Sequence, residues 1–304
     1  MDIPSTQLSK PSVPYIKGSN FTVRSHIPPP PTVVTKGCCR NFNTDREERR
    51  RLSPVERCLQ NPPLLGAEGH RSLNLEIIES LKVGDGHNAQ VFIVHVPKPE
   101  ITASPTHIVA KLYDPFYFDD DEGYLNPFLC VDKHYTHEVH AYEVLSDLQG
   151  TLIPRFHGSY SLEIPVEESA KRSVRMILME YIPGLSMQQT TPQTFTQQTR
   201  QQLMKSIIDF ESDVYKRDIL LTDLCPRNVM LVDQSGEQKL IRYNSGTSNV
   251  DMFLGQYISP LLRWKEYRMR EFRGWVDCEW DSWVKEVYGH EDAGITAEMR
   301  ERFC

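Results

Sequence analysis

The run Gly84-Asp85-Gly86-His87-Asn88-Ala89-Gln90-Val91 leads directly into Val-Phe-Ile-Val-His-Val (91–96), and this adjacency restricts the fold more than any other feature of the chain. A G-x-G-x-x-A spacing also suits a dinucleotide fingerprint, but that fold needs a helix straight after its glycines. A β-branched strand follows instead, so the glycines form the tip of a hairpin, where a backbone without Cβ atoms can approach an anion closely. Read blandly, the same residues make an ordinary tight turn. Two further β-like runs flank the hairpin, at 75–83 and 107–114.

Beyond residue 130 the period changes. Val139, Tyr142, Leu145 and Leu148 recur at a spacing of three, which predicts a helix over 137–148. Two more β-like runs, 155–164 and 175–182, bring the expectation to five strands and one helix in a small antiparallel lobe. Over 194–217 the apolar positions Leu203, Ile207, Phe210 and Val214 share one helical face, with Thr194 as the expected N-cap. The second half is helix-led, and the four tryptophans in 264–283 are expected to anchor it by burial.

Charge separates the first 70 residues from the rest. They hold ten Lys/Arg against six Asp/Glu, a net +4, so the total of −7 leaves −11 for residues 71–304. That acidic body argues against a nucleic-acid partner, because phosphate contacts need clustered positive charge. Residues 1–70 also carry the proline run at 28–31 and few periodic apolar positions, so they are expected to be a disordered, Pro-rich and basic tail. One short helix is expected within 45–60, and the arginines before Ser53-Pro54 resemble a phosphorylation site, or else a solvated charged stretch. No apolar run approaches the ~18–20 residues of a membrane span, and the N-terminus has no basic-then-apolar signal. Seven scattered cysteines without zinc spacing suit a reducing compartment, so the expected location is cytoplasmic or nuclear, with no membrane partner.

The remaining polar positions fall in an order. Lys111 stands in the apolar strand Ile-Val-Ala-Lys-Leu-Tyr-Asp, where a lysine needs a partner or an edge facing water. Glu138 is the expected partner, ahead of Glu143. Leu-Met-Glu-Tyr-Ile-Pro-Gly (178–184) has the strand-then-turn form of a hinge, and Leu221-Thr222-Asp223-Leu224-Cys225-Pro226-Arg227-Asn228-Val229-Met230-Leu231 follows. The last segment resembles the catalytic loop of the protein-kinase-like superfamily, and the resemblance covers roughly 75–250, with fungal kinase-like proteins as the nearest likeness.

The resemblance implies an α+β, two-lobed fold, with an N-lobe over about 71–182 and a C-lobe over about 183–304. It implies an ATP or other nucleotide site made of Gly84, Gly86, Ala89, Val91, Lys111, Glu138 and the hinge Met179, Glu180 and Tyr181. Asp223 would position the accepting hydroxyl, and Asn228 would hold Mg²⁺. The chain departs from the family pattern in three places. Leu221-Thr222 replaces His-Arg, Cys225 replaces a lysine, and Arg242 in Gln-Lys-Leu-Ile-Arg-Tyr-Asn-Ser-Gly (238–246) takes the position of the metal-binding D-F-G aspartate. A guanidinium cannot ligate Mg²⁺. Asp251 lies too far along to replace it, and the end of the chain falls short of a full protein-kinase C-lobe. Two readings follow: a pseudokinase or scaffold that binds ATP and a protein partner without turnover, or an active phosphotransferase acting on a protein Ser/Thr or small-molecule hydroxyl. His134, His137 and His140 do not make a metalloprotease helix, because His137 and His140 stand three residues apart and that motif needs four.

Overall fold

The computed structural model describes residues 12–35, 37–97, 107–118, 124–166, 170–234, 238–243, 250–252, 256–265, 271–276 and 279–303, with backbone only at 233–234, 238–243, 250–252 and 302–303. The chain divides into two compact units. Residues 1–143 and 155–181 form the first, and residues 144–154 and 182–304 the second.

The first unit is built on six antiparallel strands: β1 (Asn20–Ile27), β2 (Ala67–Lys82), β3 (Gln90–His95), β4 (Ile108–Tyr113), β5 (Phe156–Pro165) and β6 (Lys171–Glu180). They close into a barrel in the order β1-β2-β3-β4-β6-β5. Alternation sends Val23, Leu73, Leu75, Ile77, Phe92, Val94, Ala110, Leu112, Met176 and Leu178 into one core. Three helices accompany the strands: α1 (Asn43–Arg51), α2 (Pro54–Gln60) and α3 (Pro127–Val144).

The expected tail is therefore not a tail over its described residues. β1 pairs with β2 from Asn20↔Glu76 to Ile27↔Ala67, and with β5 at Arg24↔Ser161 and Ser25↔Tyr160. Without β1, β2 and β5 would each present an open edge. Composition misled because most of this segment is polar, while its ordering rests on a few positions. The aromatic ring of Tyr15 is wholly buried and stacks on Phe92 at 5.9 Å between ring centres. Its hydroxyl donates to Asp114 Oδ2 at 2.5 Å. Arg172 grips both oxygens of the same carboxylate, Nη2 at 2.7 Å from Oδ2. Burial raises the Tyr15 hydroxyl well above its ordinary pKa, with the Asp114 charge adding to it.

Three smaller expectations are also corrected. The single helix expected within 45–60 is two, because Ser53 starts a new one: its Oγ accepts from Glu56 N–H at 3.3 Å and Glu56 returns a bond to Ser53 N–H at 2.7 Å. Helix α3 begins ten residues before the expected start, at a turn where Asn126 Oδ1 accepts from Phe128 and Leu129 N–H. It stops at Val144, and Ser146–Leu148 form a 3-10 turn.

The second unit carries α4 (Gln197–Lys216), whose buried face includes Leu203, Ile207, Phe210 and Val214. Its N-cap is Thr196, which accepts from Thr199 N–H at 3.1 Å; Thr194 lies in the preceding 3-10 turn. Short strands follow: β7 (Leu185–Ser186), β8 (Ile219–Leu221), β9 (Val229–Gln234), β10 (Gln238–Tyr243) and β11 (Val250–Met252). They form one sheet in the order β10-β9-β7 and a second pair, β11-β8. Helices α5 (Pro260–Arg263), α6 (Trp280–Tyr288) and α7 (Ala297–Phe303) complete it. Trp264, Trp275 and Trp280 are buried, and buried Glu211 on α4 accepts from Arg263 and from Trp264 Nε1 at 3.0 Å. No helix among the described residues is long and apolar enough to cross a membrane.

If Tyr15 is the bolt that holds β1 in the barrel, Tyr15→Phe should lower stability by about 1.5–3 kcal/mol, the usual worth of a hydrogen bond to a charged group. Urea denaturation would measure it. A loss below about 0.5 kcal/mol would leave the Arg172–Asp114 pair as the sufficient anchor.

Candidate functional site

Within the first unit, the strand that carries Lys111 is internal. Lys111 pairs with Val91 on β3 and Ile177 on β6, and its side chain leaves the side opposite the barrel core, where α3 packs. At 3% exposure the ammonium cannot reach bulk water. Its Nζ meets Glu138 Oε2 at 2.5 Å, and the Tyr113 hydroxyl donates to the same oxygen at 2.6 Å. Burial pushes the Glu138 carboxyl up, while the Lys111 charge and the two hydrogen bonds pull against that shift. Glu138 Oε1 is buried without a hydrogen-bond partner.

The glycine loop lies in the same unit. Gly84 and Gly86 have φ of +153° and +79°, and a Cβ on Gly86 would meet nothing within 4 Å. Sequence reasoning missed the residue that fixes the base of this loop. Gln90, fully buried at the start of β3, accepts from Gly84 N–H and donates to Gly84 C=O, both at 2.8 Å. The signal was an amide side chain at a strand start, a polar residue that burial permits only when its bonds are made. Gly84 therefore spends both backbone groups on Gln90. Ala89 and Val91 are buried, and His87 N–H bonds Tyr117 C=O at 3.3 Å.

The expected hinge closes β6. Met179 is fully buried and accepts from the Tyr142 hydroxyl at 3.5 Å. Glu180 pairs with Arg155 through both its own N–H (2.8 Å) and its carboxylate, which accepts from Arg155 N–H at 3.0 Å. The chain leaves the first unit after Tyr181, whose ring lies 6.1 Å from that of His107. Gly184, with φ +145°, follows in the second unit; a Cβ there would meet Leu231 O at 2.9 Å.

The second unit brings Asp223 and Asn228 together. Asn228, fully buried, donates from Nδ2 to Asp223 O at 2.7 Å and Asp223 Oδ2 at 3.0 Å. Arg227 binds Asp223 Oδ1, and the Cys225 thiol lies 3.6 Å from that oxygen. Burial first, then the Asp223 charge, pushes the Cys225 thiol up to about 11, so it is no nucleophile at neutral pH. Arg227 is the second residue that the sequence reading left out. Its i,i+4 spacing from Asp223 was the available signal.

Strand register fixes the surroundings of this loop. Leu221 stands opposite Val250, and Val229 opposite Tyr243. Loop 222–228 and the connection 244–249 therefore depart from the same two strand pairs. Arg242 lies inside β10 opposite Met230, and Asp251 lies in β11 opposite Leu220; their side chains are outside the described residues. Residues 244–249, Asn-Ser-Gly-Thr-Ser-Asn, are also outside them and contain no carboxylate.

The histidines of α3 separate. His137 Nε2 bonds Thr32 O at 2.7 Å, His140 faces Glu143, and His134 sits against Phe118. No cluster of three His, Cys, Asp or Glu suited to a metal occurs among the described residues. No protein-family model matches the sequence, and no curated protein matches it.

Burial, followed by the charge of Lys111, lowers His134 from 6.5 to about 3, and burial with Arg175 lowers His26 to about 4. Both stay neutral in the fold while the unfolded chain takes up protons below 6.5. Their contribution to stability is complete above that pH and is lost as pH falls toward 4. Asp132, raised by burial to about 6, works in the opposite direction. The difference between wild type and His134→Gln therefore isolates the histidine: the variant should lose less stability between pH 7 and pH 4.5 in urea titrations. Equal losses would mean that His134 is protonated in the fold.

Proposed function

We propose that the chain is a protein-kinase-like, ATP-binding protein with impaired phosphoryl transfer, acting as a pseudokinase or scaffold. In support, the first unit holds a glycine hairpin and a buried Lys–Glu pair on an antiparallel sheet, the parts that cover and charge-match nucleotide phosphates in kinases. The second unit holds an Asp–Asn pair on a loop whose flanking strands recur after it. Lys111 and Glu138 are assigned to nucleotide binding, Asp223 to orienting a hydroxyl, and Asn228 to Mg²⁺.

One observation carries the impairment: the connection that shares its flanking strands with loop 222–228 has no Asp or Glu at any of its positions. Kinase chemistry needs a carboxylate there, because a divalent ion must neutralise charge on the transferring group. This register moves the counterpart of D-F-G from Arg242 to Asn244-Ser245-Gly246, which keeps the glycine. An asparagine offers Mg²⁺ a neutral oxygen in place of a charged one.

Calorimetry should detect ATP binding by the wild-type chain, and Lys111→Met should weaken it tenfold or more, the equivalent of about 1.5 kcal/mol for a lost charge-assisted contact. Asn244→Asp should tighten Mg²⁺-ATP and create measurable turnover, which Asp223→Asn would then remove, and Arg242→Asp should do less. Absence of ATP binding in the folded wild type would overturn the nucleotide reading. Wild-type turnover at ~1 s⁻¹ or faster, within the usual kinase range, would overturn the impairment and favour the active phosphotransferase.

A further inference from the structure

The turn at residues 37–41 is docked on the entry to α3. Arg40 makes an antiparallel bridge with Leu125, Asn41 N–H donates to Tyr124 C=O at 3.0 Å, and Asn41 Nδ2 donates to Leu125 C=O at 2.7 Å. Asn126 N–H donates to Cys39 C=O at 2.8 Å. Cys130, in the first turn of α3, lies with its Sγ 3.9 Å from that same carbonyl and hydrogen-bonds the Cys39 side chain. Two thiols 91 residues apart in sequence are thus in contact.

Cys39 also holds an unusual backbone. Its φ is +67°, a conformation that Gly or Asn takes at lower cost. A cysteine there is accounted for if its sulfur has work to do. The two thiols differ in access: Cys39 is part-exposed, and Cys130 is 3% exposed. They differ in protonation too, because the contact with Cys39 first, then burial, raises the Cys130 thiol and keeps its proton. An S–H donated toward a neighbouring sulfur favours the thiolate on the acceptor, so an exposed attacking sulfur sits beside a buried, protonated one.

We propose that Cys39 and Cys130 form a peroxide-responsive pair that closes into a disulfide between the 37–41 turn and helix α3. The Cys39 thiolate attacks a hydroperoxide, breaking its O–O bond, so that sulfur is oxidised to the sulfenic acid and one oxygen leaves as hydroxide, or as alkoxide from an organic peroxide, and takes up a proton. Cys130 then gives up its proton and attacks the Cys39 sulfur, forming the S–S bond and expelling the sulfenic oxygen as water. With hydrogen peroxide the sum is two thiols and one peroxide giving one disulfide and two waters. The cross-link fastens the N-terminal segment to the helix that carries Glu138. It does not depend on nucleotide binding.

The test uses the full chain, reduced and then treated with a few equivalents of hydrogen peroxide, followed by differential alkylation and peptide mass spectrometry. The expected result is a Cys39–Cys130 cross-linked peptide, reversed by dithiothreitol, with a rise in Tm of about 5 °C or more because the unfolded chain is constrained. Cys130→Ser should leave a sulfenic acid on Cys39 that dimedone traps, without the rise in Tm. Cys39→Ser, at the part-exposed position, should abolish both the cross-link and the sulfenic acid and provides a second variant if the buried substitution unfolds the protein. A Cys38–Cys39 bond as the main product, or oxidation of Cys39 no faster than that of Cys38, would overturn the pairing.

Discussion

An ammonium with 3% exposure in an internal strand is the constraint that orders the first unit. Lys111 hydrogen-bonds through its backbone to two neighbours, so β4 cannot turn it toward solvent without giving up a ladder. A lone buried charge costs several kcal/mol, which makes a carboxylate from elsewhere in the chain obligatory. Glu138 supplies it, and Tyr113, two residues along on the same strand face, donates to the same oxygen. The register of β4 and the azimuth of α3 are therefore fixed together. A one-residue slip of the strand would carry Lys111 into the apolar barrel core and Leu112 toward the helix.

A second buried pair does for the barrel what the first does for the helix. Arg172 on β6 and Asp114, just after β4, are both nearly inaccessible and held by a bidentate contact. The Tyr15 hydroxyl completes the carboxylate's bonding and draws the chain before β1 into place. Because β1 then pairs on both sides, the sheet has no long edge to protect. Arg172 also lies over Phe116 at 5.0 Å, so one guanidinium bonds a carboxylate and covers an aromatic ring.

The strands of the barrel were legible where alternation or β-branching was strong, as in 75–83, 90–96 and 107–114. The Lys111–Glu138 contact was legible because burial of a lysine demands an acid. β1 was not legible: Asn20-Phe-Thr-Val-Arg-Ser-His-Ile reads as a weak strand between polar and proline-rich stretches, and its partners stand about 50 and 135 residues away. Tertiary pairing and the single buried hydroxyl of Tyr15 decide its state, and neither is visible as local propensity. Gln90 and Arg227 escaped for a related reason. Each acts through a side-chain geometry that becomes specific only once the turn around it is known, whereas Asp223 and Asn228 belong to a spacing that resembles a family pattern.

Register explains why the position of the missing carboxylate cannot be read by counting residues alone. A hairpin of variable length joins β9 to β10, so the distance in sequence from Asn228 drifts with the turn, while cross-strand partners do not. Val229↔Tyr243 and Leu221↔Val250 bracket loop 222–228 on one side and residues 244–249 on the other. Arg242 sits one pair inside that bracket, opposite Met230, as a strand residue. The chemistry of loop 222–228 is then limited by composition: Asn228 is already spending Nδ2 on Asp223, Arg227 occupies an Asp223 oxygen, and the adjoining connection offers amide, hydroxyl and backbone oxygens without a formal negative charge. A divalent ion there would be held mainly by the nucleotide's own phosphates, which favours retention of a bound nucleotide over transfer of its terminal group.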